Sequence, residues 1–174
     1  MITQQLAQQL QDTSSTFGYV EFYVLDLTRL GGGIHRFTPH AVAPAGVTWR
    51  GETYIPMPIS TSGWDISGTG ALPRPMLKIS NVHRLLLAEV IGLGDLVGGK
   101  LTRYRTFENY VDGNVNADPN AFLPPDKFLI EQLVEHTPTE LTWQMTSVLD
   151  RFGMQLPRRQ VLKDAGFPGV GRLR

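Results

Sequence analysis

Cysteine is missing from all 174 positions. Its absence excludes disulfides, thiolate metal sites and iron–sulfur clusters. No run of about 18 apolar residues occurs, so no membrane-spanning helix and no membrane insertion are expected. The start of the chain, Met1-Ile2-Thr3-Gln4-Gln5-Leu6, has neither a basic nor an apolar stretch of the kind a secretory signal carries. Net charge is also lacking, since 16 Lys and Arg face 16 Asp and Glu. That balance hides a split. Residues 1–150 hold 10 basic and 15 acidic side chains, whereas residues 151–174 hold Arg151, Arg158, Arg159, Lys163, Arg172 and Arg174 against Asp164 alone. The asymmetry suggests an acidic body, 1–150, with a basic extended C-terminal arm, 151–174, the alternative being a plain solvated tail.

What is plentiful is glycine and proline, 18 and 12 residues, which suits a β domain with many turns. The clearest alternation is in residues 140–149. Leu141, Trp143, Met145, Ser147 and Leu149 point one way, and Glu140, Thr142, Gln144, Thr146 and Val148 the other, as in a strand with one buried and one wetter face. Residues 128–134 are apolar on both faces, as in a central strand, and Pro138 marks the turn between the two. This hairpin is expected at the centre of a sheet. Tyr19 to Leu27 is a further strand, turned by Gly31-Gly32-Gly33 into a partner at 34–38. Residues 47–49 and 54–59 flank Arg50-Gly51-Glu52-Thr53 as a hairpin, and Pro56 and Pro58 predict that its second arm lies at a sheet edge. Strands are expected at 64–67, 74–80 and 100–110. Ile2, Leu6 and Leu10 form a narrow helical stripe. Asn81 is a candidate N-cap for a largely buried helix over 82–91, stopped by Gly92 and Gly94. Residues 112–125 read as an exposed polar loop.

Candidate chemistry is sparse. His35, His40, His83 and His136 lack metal-ligand spacing. Residues 92–100, with glycines at 92, 94, 98 and 99, lead from a helix into a strand, the reverse of a phosphate loop, and read as turn glycines; at least one of Gly98 and Gly99 is expected at positive φ to enter the strand at Lys100. Asp112, Asp118 and Asp126 with their neighbouring asparagines do not match a calcium loop, and a plain polar loop is favoured. No serine sits in a nucleophile elbow and no carboxylate pair is marked out, so the residues do not point to an enzyme. Trp49, Trp64, Trp143, Tyr54, Tyr104 and Tyr110 suit either packing or a stacking surface, with packing favoured.

The ordered set of these segments resembles the minor tail protein L family of lambda-like siphophages. It comprises Leu25-Asp26-Leu27-Thr28 with Gly31-Gly32; Val47-Thr48-Trp49-Arg50-Gly51 with Tyr54, Pro58 and Ile59; Gly63, Gly68-Thr69-Gly70 and Arg74-Pro75 with Leu77; Ile79-Ser80-Asn81; Leu96-Val97-Gly98-Gly99; Ala117-Asp118-Pro119; Pro138-Thr139-Glu140; and Leu156-Pro157-Arg158-Arg159. The resemblance implies a mainly β, tail-tube-like sandwich or barrel with one or two short packed helices. It implies a virion structural protein of the tail tip, assembled in the host cytoplasm. The role implied is an oligomeric hub layer, typically a homotrimer, between the distal tail protein and the central tip protein, near the tape measure protein, with DNA passing through its lumen. Longer family members carry a cysteine-containing domain resembling an iron–sulfur unit. Without cysteine the cluster is not carried over, and no cofactor, metal or catalytic residue is expected.

An acidic body suits a conduit that must not retain a polyanion. The six basic residues of the arm, Arg151, Arg158, Arg159, Lys163, Arg172 and Arg174, are the candidate interface, docking on an acidic neighbouring subunit. The competing reading is a carbohydrate- or receptor-binding β module of a virion, with exposed aromatics as its site.

Overall fold

The computed structural model describes residues 4–11, 18–40, 46–65, 72–80 and 86–150. The arm and its six basic residues lie outside the described residues, as do Asn81 and His83. The fold is mainly β, with two short helices, as the alternating pattern implies.

Among the described residues nine strands form one sheet. They are β1 (Tyr19–Asp26), β2 (Ile34–Thr38), β3 (Val47–Trp49), β4 (Glu52–Pro56), β5 (Ile59–Ser62), β6 (Met76–Ser80), β7 (Lys100–Phe107), β8 (Asp126–His136) and β9 (Glu140–Ser147). Their spatial order is β3-β4-β2-β1-β7-β8-β9-β6-β5. All neighbours are antiparallel except β2 and β4. Helix α1 (Gln4–Gln11) buries Leu6 but leaves Leu10 exposed, and α2 (Leu87–Gly92) buries Val90.

The sheet rolls. Tyr23 on β1 reaches Thr61 on β5, hydroxyl to hydroxyl, at 3.1 Å. Five strand steps separate β1 from β5 in the sheet order, about 24 Å if flat. Inside the roll, Tyr23, Leu25, Phe37, Leu77, Ile79, Leu101, Ile130, Leu141, Trp143 and Met145 form the main core. The alternate residues of β1, Val20 and Phe22, face outward into a second cluster with Trp49 and Tyr54. Phe22 stacks on Trp49 at 4.8 Å, 5° from parallel. Period-two alternation with both faces covered explains why β1 carries apolar residues on both faces, from Val20 to Leu25, with Glu21 the exception among them.

The β8–β9 hairpin stands where the alternation places it, and Leu141, Trp143 and Met145 are fully buried. Its other face is drier than expected, because Thr142 and Thr146 are also buried. Thr142 is a short side chain that shares its face with Gln144 and Glu140 and pairs across with Lys78, which bridges to Glu140 at 2.6 Å.

Four further expectations need correction. The strand bearing Pro56 is not at the edge: β4 lies between β3 and β2. Proline is tolerated because β3 pairs only with Glu52–Tyr54, so Pro56 runs past its end. The edges are β3 and β5. The strand expected at 64–67 is instead β5, at Ile59–Ser62, set by its register with β6; Trp64 and Asp65 are not in a strand. On α2, Ile91 is 72% exposed, so this helix buries one side only. The loop after β7 is exposed over 113–117, as expected, but not throughout: Ala121 is fully buried beside Leu6 and Tyr110, its carbonyl accepts from Thr106 Oγ1, and Leu123 N–H donates to the Arg105 carbonyl.

Candidate functional surfaces

Inside the roll, β1 and β7 pair Tyr23 with Arg103 and Glu21 with Arg105. Period two puts all four on the core-facing side, and Asp126 of β8 pairs with Arg103. The Arg103 guanidinium donates to Asp126 Oδ2 at 2.8 and 3.0 Å and lies 3.5 Å from Glu21 Oε1. It sits 3.6 Å from the Trp64 ring centroid, and Trp64 meets Phe128 edge-on at 5.2 Å. Arg105 adds a 3.2 Å contact to Asp126. Tyr23 donates to Glu21 at 2.5 Å. Burial, then that hydrogen bond, push the Tyr23 phenol well above its ordinary pKa. Two guanidinium groups face two carboxylates, so the cluster is neutral. Arg103 cannot deprotonate, and the carboxylates are engaged as acceptors. Its chemistry is that of a cross-link between strands and not of a proton carrier.

A trough runs beside β3. Two adjoining hollows, of about 310 and about 400 Å³, share Glu108 and Asn114. One is walled by Gly46, Val47 and Thr48 and floored by Val20 and Val111; the other ends at Val115, which is fully exposed. Residues 106–126 contain no Lys or Arg. Of their four acids, Asp126 pairs with Arg103 and Arg105, whereas Glu108, Asp112 and Asp118 have no ion-pair partner among the described residues. Asp112 instead accepts from Gly51 N–H at 2.9 Å, tying the trough to the β3–β4 turn. In that turn Arg50 and Gly51 both have positive φ, 58° and 74°, the type I′ geometry that matches strand twist. The Arg50 guanidinium lies 5.1 Å from the Phe122 ring centroid and 5.5 Å from that of Trp49.

After α2, Gly94, Asp95 and Leu96 have φ of 63°, 60° and 62°. Three successive left-handed residues, two of them not glycine, are costly. Leu96 is fully buried by this turn, and the Trp143 indole N–H donates to the Asp95 carbonyl at 3.0 Å. Gly98 has φ of 89°, as the glycine reading requires. At Gly99 a Cβ would lie 2.8 Å from Leu27 Cδ2 and 3.0 Å from the Leu96 carbonyl oxygen.

The aromatics named from sequence are mostly buried. Trp49 and Trp143 are 0% exposed, Tyr54 and Tyr110 are buried, and Trp64 covers Arg103. They do not form an open stacking platform. Burial also raises the Tyr54 phenol to about 12. His35 contacts Glu89 of α2 at 2.5 Å, while His40 and His136 stand apart. No group of three metal-ligating side chains occurs among the described residues, and the thiolates that an iron–sulfur cluster needs are lacking. The chain's residues therefore do not fit that group. Sequence reasoning missed the Arg103 cluster. Its signal was the alternation of β7, which puts Arg103 on the same face as Leu101.

No described helix is long and apolar enough to cross a membrane. The sequence matches the family described as phage minor tail protein L over residues 28–167. It is similar to the tail tip protein L of Escherichia phage lambda, 29% identical over 150 residues, 82% of this chain and 64% of that protein. A chain of the virion of a native gene transfer agent particle has a similar fold, with a TM-score of 0.58 and 14% identity over 90% of this chain and 49% of the other. The chain thus spans less than two thirds of the length of either.

Proposed function

Because this chain belongs to the phage minor tail protein L family, we propose that it builds an oligomeric hub layer at the tail tip, most simply a homotrimer. The layer would lie between the distal tail protein and the central tip protein, near the tape measure protein, with DNA passing through its lumen. The observation that carries the reading is the family match across 28–167, on a fold shared with a chain of another virion particle. The role is structural and not enzymatic. The body's charge supports the conduit. With 10 basic and 15 acidic residues in positions 1–150, and Arg36, Arg74, Lys78, Arg103 and Arg105 engaged in ion pairs, its field repels a polyanion.

We further take residues 151–174 as a docking arm. Arg151, Arg158, Arg159, Lys163, Arg172 and Arg174 would lie on an acidic neighbouring subunit, and residues 1–150 would form the β domain. Exposed pairs are worth little singly, so apolar anchors must share the work. The carbohydrate-binding alternative loses support because Trp49, Trp143, Tyr54 and Tyr110 are buried.

The test is reconstitution with the neighbouring tail proteins, read by light scattering and electron cryomicroscopy of assembled tails. The reading expects a closed ring of this chain between tube end and tip. A monomer both alone and with its partners, or a position outside the tail axis, would refute it.

A further inference from the structure

We propose that the trough beside β3 receives residues 158–165 of a neighbouring copy's arm as an added strand. This rests on the arm being a docking device and names its dock.

The acceptor is an open sheet edge. Trp49 faces Glu52 across a two-residue type I′ turn, and such flanking residues exchange both backbone hydrogen bonds. The N–H and C=O of Thr48 therefore point away from β4, into the trough. No other element engages them among the described residues. An edge of this kind is a template for an incoming extended segment. The trough adds side-chain selectivity. Val20 and Val111 offer an apolar floor, Glu108 and Asp112 carry negative charge at the rim, and no cation within 106–126 neutralises them.

The donor has the matching pattern. Between Pro157 and Gly166 the arm holds its longest run free of glycine and proline, Arg158-Arg159-Gln160-Val161-Leu162-Lys163-Asp164-Ala165. As a strand it places Arg159, Val161 and Lys163 on one face, one apolar side chain between two cations. That face complements an apolar floor with an acidic rim.

We assign the dock to a neighbouring copy, and an oxidised chain carrying both cysteines separates this from a dock within one chain. The arm leaves from Asp150, which Arg74 holds at 2.9 Å beside the β9–β6 side of the sheet. The acceptor β3 is the last strand at the opposite end. A donor at one end and an acceptor at the other is a head-to-tail contact, which closes into a ring where the rotation permits.

The chain's lack of cysteine makes the test clean. Full-length Thr48→Cys and Gln160→Cys chains, one tagged, are mixed and oxidised. Thr48 is exposed, on the face of β3 opposite Val47 and Trp49, so the substitution spares the core, and with Val161 turned to the floor Gln160 shares that exposed face. The proposal expects a 48–160 disulfide between differently tagged chains, identified by peptide mass. Charge reversal by Glu108→Lys with Asp112→Lys should lower its yield roughly fivefold or more, while Asp65→Lys, away from the trough, leaves it unchanged. No 48–160 disulfide, a purely intramolecular one in a chain carrying both cysteines, or equal yield from all charge variants would overturn the dock. The assay uses purified chain alone. A normal cross-link with failed tail incorporation would overturn the tail role instead and leave the dock standing.

Discussion

The indole N–H of Trp143 donates to the main-chain carbonyl of Asp95, 48 positions earlier, at 3.0 Å. The middle of β9 is thereby fastened to a left-handed turn. The bond satisfies the polar atom of a fully buried tryptophan and helps hold three residues in a conformation they would otherwise leave.

Trp143→Ala should therefore cost about 3–5 kcal/mol of stability, and Trp143→Phe about 1–3 kcal/mol, because phenylalanine keeps much of the volume but strands the Asp95 carbonyl. Denaturant titration with an unchanged midpoint in either variant would contradict this placement.

The glycines at 99 and 113 separate two penalties. Gly113 has φ of 93° with nothing within 4 Å of an added Cβ, so alanine there costs only backbone strain, about 1 kcal/mol. At Gly99 an added Cβ meets Leu27 and the Leu96 carbonyl. Gly99→Val should lower the melting temperature clearly more than Gly113→Val does. Equal losses would show that Leu27 and the left-handed turn yield easily.

Removing the Arg103 side chain leaves Glu21 and Asp126 facing the roll without their main cation. Arg103→Met should destabilise by roughly 3–5 kcal/mol. Adding Asp126→Asn should recover part of that loss, since one unpaired charge is removed with it. A double variant no better than the single would mean that the stacking of Arg103 on Trp64 carries the stability instead.

Tyr23 and Tyr54 set the alkaline limit. Both phenols have folded-state pKa values raised by burial, that of Tyr54 to about 12. The unfolded chain ionises them near pH 10, so above that pH it binds fewer protons than the folded chain. Stability is intact below about pH 10 and falls by about 1.4 kcal/mol per pH unit for each tyrosine above it, until the folded pKa is reached. Melts between pH 9 and 12 should show this fall, and Tyr23→Phe should flatten it. An unchanged slope in that variant would refute the assignment.

Deleting residues 151–174 should leave a cooperative melt and a β-type circular dichroism spectrum while weakening incorporation into tails. A truncated chain that still assembles infectious tails would refute docking, and one that cannot fold would put the arm in the core.

Local chemistry made the two tight hairpins legible. Pro138 and the alternation around Trp143 mark one, and Arg50-Gly51 the other. Pairing between distant segments was not legible. Pro56 was read as an edge marker because the rule concerns a missing donor, yet that donor is missing only where β3 has already ended. Ile59–Ser62 has one apolar residue in four, so its strand character comes from β6 and not from itself. The Arg103 cluster escaped because arginine within a strand ordinarily signals a wet face. Here two carboxylates from other strands compensate it. The arm's basic residues lie outside the described residues, so their part in the site remains a proposal.

The sheet order carries a consequence for synthesis. Tyr19–Asp26 pairs on one side with the nearby Ile34–Thr38, but on the other with Lys100–Phe107. On a ribosome adding about 5–20 residues per second, the later partner follows roughly 4–16 s behind. During that interval the apolar face of Tyr23 and Leu25 has half a sheet to cover it, and the nascent chain is a natural client for a holding chaperone.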